Sequence, residues 1–203
     1  RTDEVLESVA YCGGLLVASY SKDVCSRIER FTSSGLSLGE IKLPGLGSAS
    51  VATDETRTTG FVSYTSFNEP RSIYSVDFKS GSMTLWARPT VPIDPSSVTV
   101  SQVFVTSKDG TKIPMFIVHK AGLVLNGESP TILYGYGGFN ISLTPSFNIT
   151  NAVWMEQGGI LAVPNLRGGG EYGKAWHKAG TKLQKQNVFD DFIAAAEYLI
   201  AEK

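Results

Sequence analysis

The first half of the chain matches itself at an offset of 46 positions, and that self-similarity limits what it can fold into. Gly14-Leu15-Leu16 falls on Gly60-Phe61-Val62, Ile28 on Tyr74, and Ser34-Gly35 on Ser80-Gly81. Within residues 5–96, short apolar or β-branched runs (15–20, 26–31, 61–65 and 72–78) alternate with turn residues. A period in the forties with about four strands per unit is the spacing of propeller blades. A blade buries its faces only against neighbouring blades, so two units alone are expected to be unstable. The competing reading is an all-β hairpin domain whose self-similarity is accidental.

Cys12 and Cys25 flank one hairpin of this half, with its turn expected at Lys22-Asp23. Pairing Ser21 with Val24 puts Cys25 opposite Tyr20 and leaves Cys12 out of reach, so no disulfide is expected. Two free thiols suit a reducing, cytoplasmic compartment. Thr90-Val-Pro-Ile-Asp-Pro-Ser-Ser97 has no periodicity and reads as a linker. The domain boundary is placed there, with blades over 1–96 and a second domain over 97–203.

The second half changes character. Runs 98–107 and 112–120 read as two strands around Asp109-Gly110, a type I′ hairpin signal. In the second run Ile113, Met115 and Ile117 share one face while Phe116 and Val118 share the other, so both faces are expected to be buried. Pro130-Thr-Ile-Leu133 reads as another buried strand, running to Tyr134. Residues 146–157 form an irregular helix, stopped by Gly158-Gly159, and 160–164 a fourth buried strand. The helix 187–203 is the clearest element. Asn187 is its expected N-cap, with Asp190 and Asp191 in the first turn favoured by the helix dipole. Val188, Phe189, Phe192, Ile193, Ala196, Leu199 and Ile200 make one apolar face. Hairpin, strand, helix, strand, helix is the opening of an α/β-hydrolase sheet, whose next strand would carry the nucleophile elbow.

Chemistry is concentrated in Tyr134-Gly-Tyr-Gly-Gly-Phe-Asn140, directly after the strand at 130–133. Loops at the carboxyl ends of strands build ligand sites in open sheets. Gly135, Gly137 and Gly138 permit positive φ and close backbone approach, and Tyr136 and Phe139 are thrown up by the same loop. Aromatics that merely cover the core are the alternative.

Gly168-Gly-Gly-Glu-Tyr-Gly173 satisfies G-x-G-x-x-G after a strand. However, Lys174-Ala-Trp-His-Lys-Ala-Gly180 is too short and interrupted for a pyrophosphate-binding helix. The expected acidic residue should end a strand, whereas Asp190 and Asp191 open a helix. A structural turn fits better, with Arg167 and Glu171 paired across it. His119, on the doubly buried strand, and His177, in a connecting segment, both read as structural. Two isolated His and two distant Cys show no metal-ligand spacing.

Four stretches then resemble the prolyl oligopeptidase family, in its order and at its spacing. They are Lys108-Asp-Gly-Thr-Lys-Ile-Pro-Met115, residues 134–140, Asn165-Leu-Arg-Gly-Gly-Gly-Glu-Tyr-Gly173 and Lys185-Gln-Asn-Val-Phe-Asp-Asp191. The resemblance implies the last blades of a β-propeller followed by the N-terminal part of an incomplete α/β-hydrolase domain. It implies a serine endopeptidase that cleaves after proline in short peptides, without a cofactor. Tyr136 matches the tyrosine whose hydroxyl completes the oxyanion hole, and Phe139 an aromatic lining the proline pocket. The family's Gly-Gly-Ser-Asn-Gly-Gly motif is absent, and neither histidine matches the catalytic one. The chain therefore reads as an internal piece that lacks the Ser/Asp/His triad and is inactive alone, its partners being the rest of the enzyme and short proline-containing peptides.

Composition excludes little beyond this. The 203 residues are 42% hydrophobic and 18% charged with a formal net charge of −1, which gives no electrostatic reason for a nucleic-acid or anionic-membrane partner. No apolar run spans a bilayer, and Arg1-Thr-Asp-Glu is no signal peptide. The sequons at Asn140 and Asn148 read as chance matches. A non-catalytic propeller and α/β interaction module is the reading from another class. A downstream strand ending in Gly-x-Ser-x-Gly would decide against it.

Overall fold

The structure, a computed structural model, describes residues 4–202. The chain divides into two units: one runs to Pro92 and takes in Thr144–Phe147, and the other holds Ile93–Leu143 and the chain from Asn148 onward.

The first unit is two antiparallel four-stranded meanders. One contains β1 (Glu4–Cys12), β2 (Leu15–Lys22), β3 (Cys25–Thr32) and β4 (Ser37–Glu40); the other contains β5 (Ser48–Ala52), β6 (Thr59–Thr65), β7 (Ser72–Asp77) and β8 (Ser82–Ala87). This is the blade pair anticipated from the repeat. Cys12, Val17 and Ile28 of the first sheet pack with Val62, Val76 and Phe78 of the second, so each blade buries a face against its neighbour. Arg30 ties them further: its buried guanidinium donates to the carbonyls of Leu38 and Gly39 at 2.6 and 3.3 Å and of Phe78 and Lys79 at 3.0 and 3.1 Å. Within the same unit, Ser48 Oγ donates to the Pro145 carbonyl at 2.7 Å, and the Phe147 amide to Thr65 Oγ1 at 3.3 Å.

The expected turn at Lys22-Asp23 is corrected by one residue. Lys22 pairs with Cys25, and Asp23 and Val24 make the turn with φ of +45° and +70°. Positive φ at both central residues defines the primed turn that matches strand twist. Val24, read from sequence as a strand residue, is drawn into the turn with its side chain buried. Both thiols are free. Cys12 Sγ donates to the Arg57 carbonyl at 3.1 Å, and burial pushes the Cys25 thiol up to about 11.

The second unit is a four-stranded mixed sheet of order β11-β12-β10-β9. Its elements are β9 (Val98–Thr106), β10 (Lys112–Lys120), β11 (Thr131–Leu133), α1 (Ile149–Glu156), β12 (Ile160–Pro164), α2 (Gly173–Lys178) and α3 (Gln186–Glu202). β10 runs antiparallel to β9 and β12, and β11 lies parallel to β12. Ala194, Ala195, Tyr198 and Leu199 of α3 cover one face of the sheet against Val105, Met115 and Ala162. Helix α1 packs on β10 and β12, burying Ala152 and Met155. Asn148 caps α1, its Oδ1 accepting from the Thr150 amide at 2.8 Å. The architecture is thus propeller blades followed by the start of an α/β-hydrolase sheet.

Four local expectations are corrected. Residues 107–111 separate β9 from β10, and only Gly110 among them has positive φ, +88°, so Asp109-Gly110 is no type I′ turn. Asp109 instead accepts from the Thr111 amide at 3.0 Å. The strand β11 is not buried: it lies at the sheet edge, and Thr131 and Ile132 are exposed. His119 sits half-exposed near the end of β10 rather than between two buried faces. Asn187 is not the N-cap: α3 already begins at Gln186, and Asn187 Nδ2 donates to the Ala179 carbonyl at 2.8 Å.

The apolar face of α3 also splits. Val188, Asp191 and Ala195 are buried, while Phe189, Ile193 and Ile200 are exposed. Asp191 lies on the buried stripe, where Arg167 claims its carboxylate. It does not serve the helix dipole.

Candidate active site

Two loops at the carboxyl ends of the parallel pair β11 and β12 build the site, where a parallel sheet is expected to place one. The first leaves β11 after the Tyr134 amide donates to the Ala162 carbonyl at 2.9 Å. Its glycines are required by fit. Gly137 has φ +59°, and a Cβ there would overlap Val188 Cγ1 and lie 2.8 Å from Leu166 Cβ. On the second loop, a Cβ at Gly168 would lie 2.7 Å from the Gly137 carbonyl oxygen. The two backbones interlock where side chains cannot enter.

Gly168 O is the fastening point. It accepts from the Asn140 amide at 3.1 Å, and His177 Nδ1 lies 2.7 Å away, engaged as a donor. Lys185 Nζ, from the turn before α3, donates to Gly137 O at 2.7 Å. Phe139 and Asn140 are successive non-glycine residues with φ of +52° and +58°. Backbone of this kind persists only where its surroundings over-determine it. The result is presentation of two rings. Tyr136 is 43% exposed and Phe139 84%, with centroids 6.4 Å apart and planes tilted by 34°. The arrangement brings together the two residues singled out from sequence, a phenolic hydroxyl beside an apolar ring face.

Beneath the second loop lies a buried ion cluster that sequence reasoning missed. Arg167 Nη2 donates to Asp191 Oδ1 at 2.6 Å and Nε to Oδ2 at 3.0 Å. The Arg167 amide adds a contact to Oδ2 at 3.1 Å, and Ser107 Oγ donates to Oδ1 at 2.6 Å. Arg167 also forks onto the Asp109 carboxylate. Hydrogen bonds from Arg167 and then Thr111 hold Asp109 well below the usual carboxylate range. One guanidinium thus joins the β9–β10 turn, the loop after β12 and helix α3. The available signal was position: Asp191 lies three residues after Val188 and four before Ala195, on the buried stripe of α3.

The expected Arg167–Glu171 pair is therefore corrected. Glu171 is buried elsewhere, Oε1 accepting from the Leu143 amide at 3.0 Å and Asn165 Nδ2 at 3.3 Å. Glu171 Oε2 and Asn165 Oδ1 are buried without a hydrogen-bond partner among the described residues. Burial raises the Glu171 carboxyl above the ordinary value of 4.5, outweighing the hydrogen bonds that lower it. Because the shift is upward, the folded chain holds this proton to a higher pH than the unfolded chain does. Stability then falls as pH rises, and levels once the folded group also ionises. Glu171→Gln has no proton to lose and adds a donor, so it should flatten that decline. Urea midpoints from about pH 4 to about pH 8 for both proteins check this.

Gly168–Gly173 leads into a helix of only six residues, and the first glycine's carbonyl is already engaged. Among the described residues, no group of three or more His, Cys, Asp or Glu is arranged to hold a metal ion. No helix among them is long and apolar enough to cross a membrane.

Comparison with known proteins bears on the family and the fold. The model of the prolyl oligopeptidase family's N-terminal β-propeller domain matches residues 1–89, and that of the prolyl oligopeptidase family itself matches residues 145–203. A prolyl endopeptidase from Elizabethkingia miricola is 52% identical over 92% of this chain and 27% of its own length. One from Dictyostelium discoideum is 46% identical over 98% of this chain and 27% of its own. A solved prolyl endopeptidase, 47% identical, superposes with a TM-score of 0.91 over 100% of this chain and 30% of that one. Prolyl oligopeptidase B from Galerina marginata, solved with a 35mer hydrolysis and macrocyclization substrate, is 36% identical with a TM-score of 0.92, covering 100% and 29%. The chain spans less than a third of the length of these relatives. With both family models matched in order and both loops interlocked as described, the chain belongs to the prolyl oligopeptidase family of serine peptidases.

Proposed function

We propose that the full-length protein is a serine-type endopeptidase that hydrolyses peptide bonds on the carboxyl side of proline in short peptides. In this reading residues 1–96 are the last propeller blades, and 97–203 the N-terminal part of the catalytic domain. Tyr136 donates its hydroxyl to the oxyanion, and Phe139 lines the pocket for the proline ring. The single observation carrying the assignment is the presentation of the two rings side by side, exposed on a backbone with no slack. A phenol hydroxyl can donate a hydrogen bond, and a flat ring complements the apolar face of a pyrrolidine. Two free thiols, Cys12 and Cys25, support a cytoplasmic location.

The Ser/Asp/His triad lies outside residues 1–203 in this reading, so the site here is half of an oxyanion hole and one pocket wall. Purified 1–203 should neither hydrolyse a prolyl amide nor take up a serine-directed phosphonate, whereas the full-length protein should do both. Stoichiometric labelling of one serine in the isolated chain would overturn the proposal.

A further inference from the structure

We propose that Lys185 is a positioning residue for the loop bearing Tyr136 and Phe139, acting through the Gly137 carbonyl. The inference rests on the roles just assigned to those two residues. The peptide between Gly137 and Gly138 has no Cβ on either side, so no packed side chain fixes its plane, and glycine permits it to rotate cheaply. Tyr136 precedes that peptide and Phe139 follows it. Any rotation there redirects both rings.

What fixes the plane is polar. Lys185 Nζ donates to the Gly137 oxygen at 2.7 Å, a charge-assisted bond. A Cβ at position 168 would come within 2.7 Å of the same oxygen, so glycine there keeps the space this carbonyl occupies. One residue further, the Asn140 amide holds Gly168 O at 3.1 Å, and the Ile141 amide closes the turn onto Gly138 O at 3.0 Å. Lys185 is itself anchored: its amide donates to Lys182 O at 3.2 Å, and its carbonyl accepts from the Val188 amide at 3.1 Å. Val188 in turn packs with Ile113 and Leu166 in the core of this unit. Lys185 is exposed as a residue, and its bond to the Gly137 oxygen is only part-buried. Its contribution is to one peptide's orientation, with little effect on global stability.

The test uses the full-length protein. Lys185→Met keeps much of the stem and removes the donor; Lys185→Arg retains a donor. Two readouts are needed: hydrogen exchange at the Asn140 and Ile141 amides, and kcat and KM on a prolyl amide. Lys185→Met should speed exchange at both amides and lower kcat roughly tenfold, a part of the hundredfold that an ångström-scale misplacement can cost. Lys185→Arg should restore most of both. In the double variant with Tyr136→Phe, the Lys185→Met loss in kcat should largely vanish, since the hydroxyl it positions is gone. Exchange and kcat both within about twofold of the parent would overturn the proposal, as would full additivity in the double variant. If Tyr136→Phe alone leaves kcat unchanged, the oxyanion reading fails on its own. Faster exchange in Lys185→Met would still support the tether, and unchanged exchange would overturn it.

Discussion

Asp191→Ala is expected to destabilise the protein by about 3–5 kcal/mol, the cost of leaving one member of a buried ion pair uncompensated. Asp191 is 0% exposed and takes hydrogen bonds from the Arg167 side chain, the Arg167 amide and Ser107 Oγ. Its removal strands a guanidinium that is nearly as buried. The comparison with Asp109 decides whether burial is the cause. Asp109 grips the same guanidinium from a half-exposed position and caps the β9–β10 turn. Asp109→Ala should therefore cost only about 1 kcal/mol, as for a solvent-screened pair and one capping bond. Urea unfolding of both variants reads the difference as a shift in midpoint. Equal shifts would mean that the cluster acts as a surface ion pair. Because Arg167 shares its loop with Gly168, Asp191→Ala should also loosen the fastening of Asn140.

The elements that were legible in the sequence are those whose side chains obey one period. The blades were readable because Gly14 and Gly60, and Gly35 and Gly81, recur with the strands between them. Strand β10 was readable because Ile113, Met115 and Phe116 are apolar on both faces. Errors came where a polar group overrides the period. Asp191 reads from sequence as an acid favoured by the helix dipole because nothing local announces Arg167, 24 residues earlier in the chain. The buried stripe of α3 runs through Asp191, on the side away from the exposed Phe189, Ile193 and Ile200. Asn187 was read as a cap because its type favours that position, but its side chain reaches Ala179 instead. Val24 was read as a strand residue because β-branched residues rarely accept positive φ. At the site, the exposed aromatics could be picked out from their glycine hinges, while Lys185 could not. Its partner is a backbone carbonyl 48 positions away, which no side-chain pattern encodes.

The larger expected kinetic effect belongs to Tyr136. A hydroxyl aimed at a developing oxyanion matters most when charge accumulates on the carbonyl oxygen, and much less in the ground state. Tyr136→Phe removes one oxygen and keeps the ring, so packing against Phe139 and substrate affinity should change little. Loss of one such donor typically costs about 2.7–4 kcal/mol in the transition state, roughly a hundred- to a thousandfold in kcat. Phe139→Ala removes pocket surface and should act mainly on KM, weakening prolyl substrates on the order of tenfold and eroding discrimination against other residues. Its ring is 84% exposed, so the substitution should leave the fold intact.

These opposite signatures make steady-state kinetics of Tyr136→Phe in the full-length protein, on a prolyl amide, the most direct test. A fall in kcat of roughly a hundredfold or more with KM nearly unchanged is the predicted result. An unchanged kcat with a raised KM would make Tyr136 a pocket wall and contradict its assignment as an oxyanion donor.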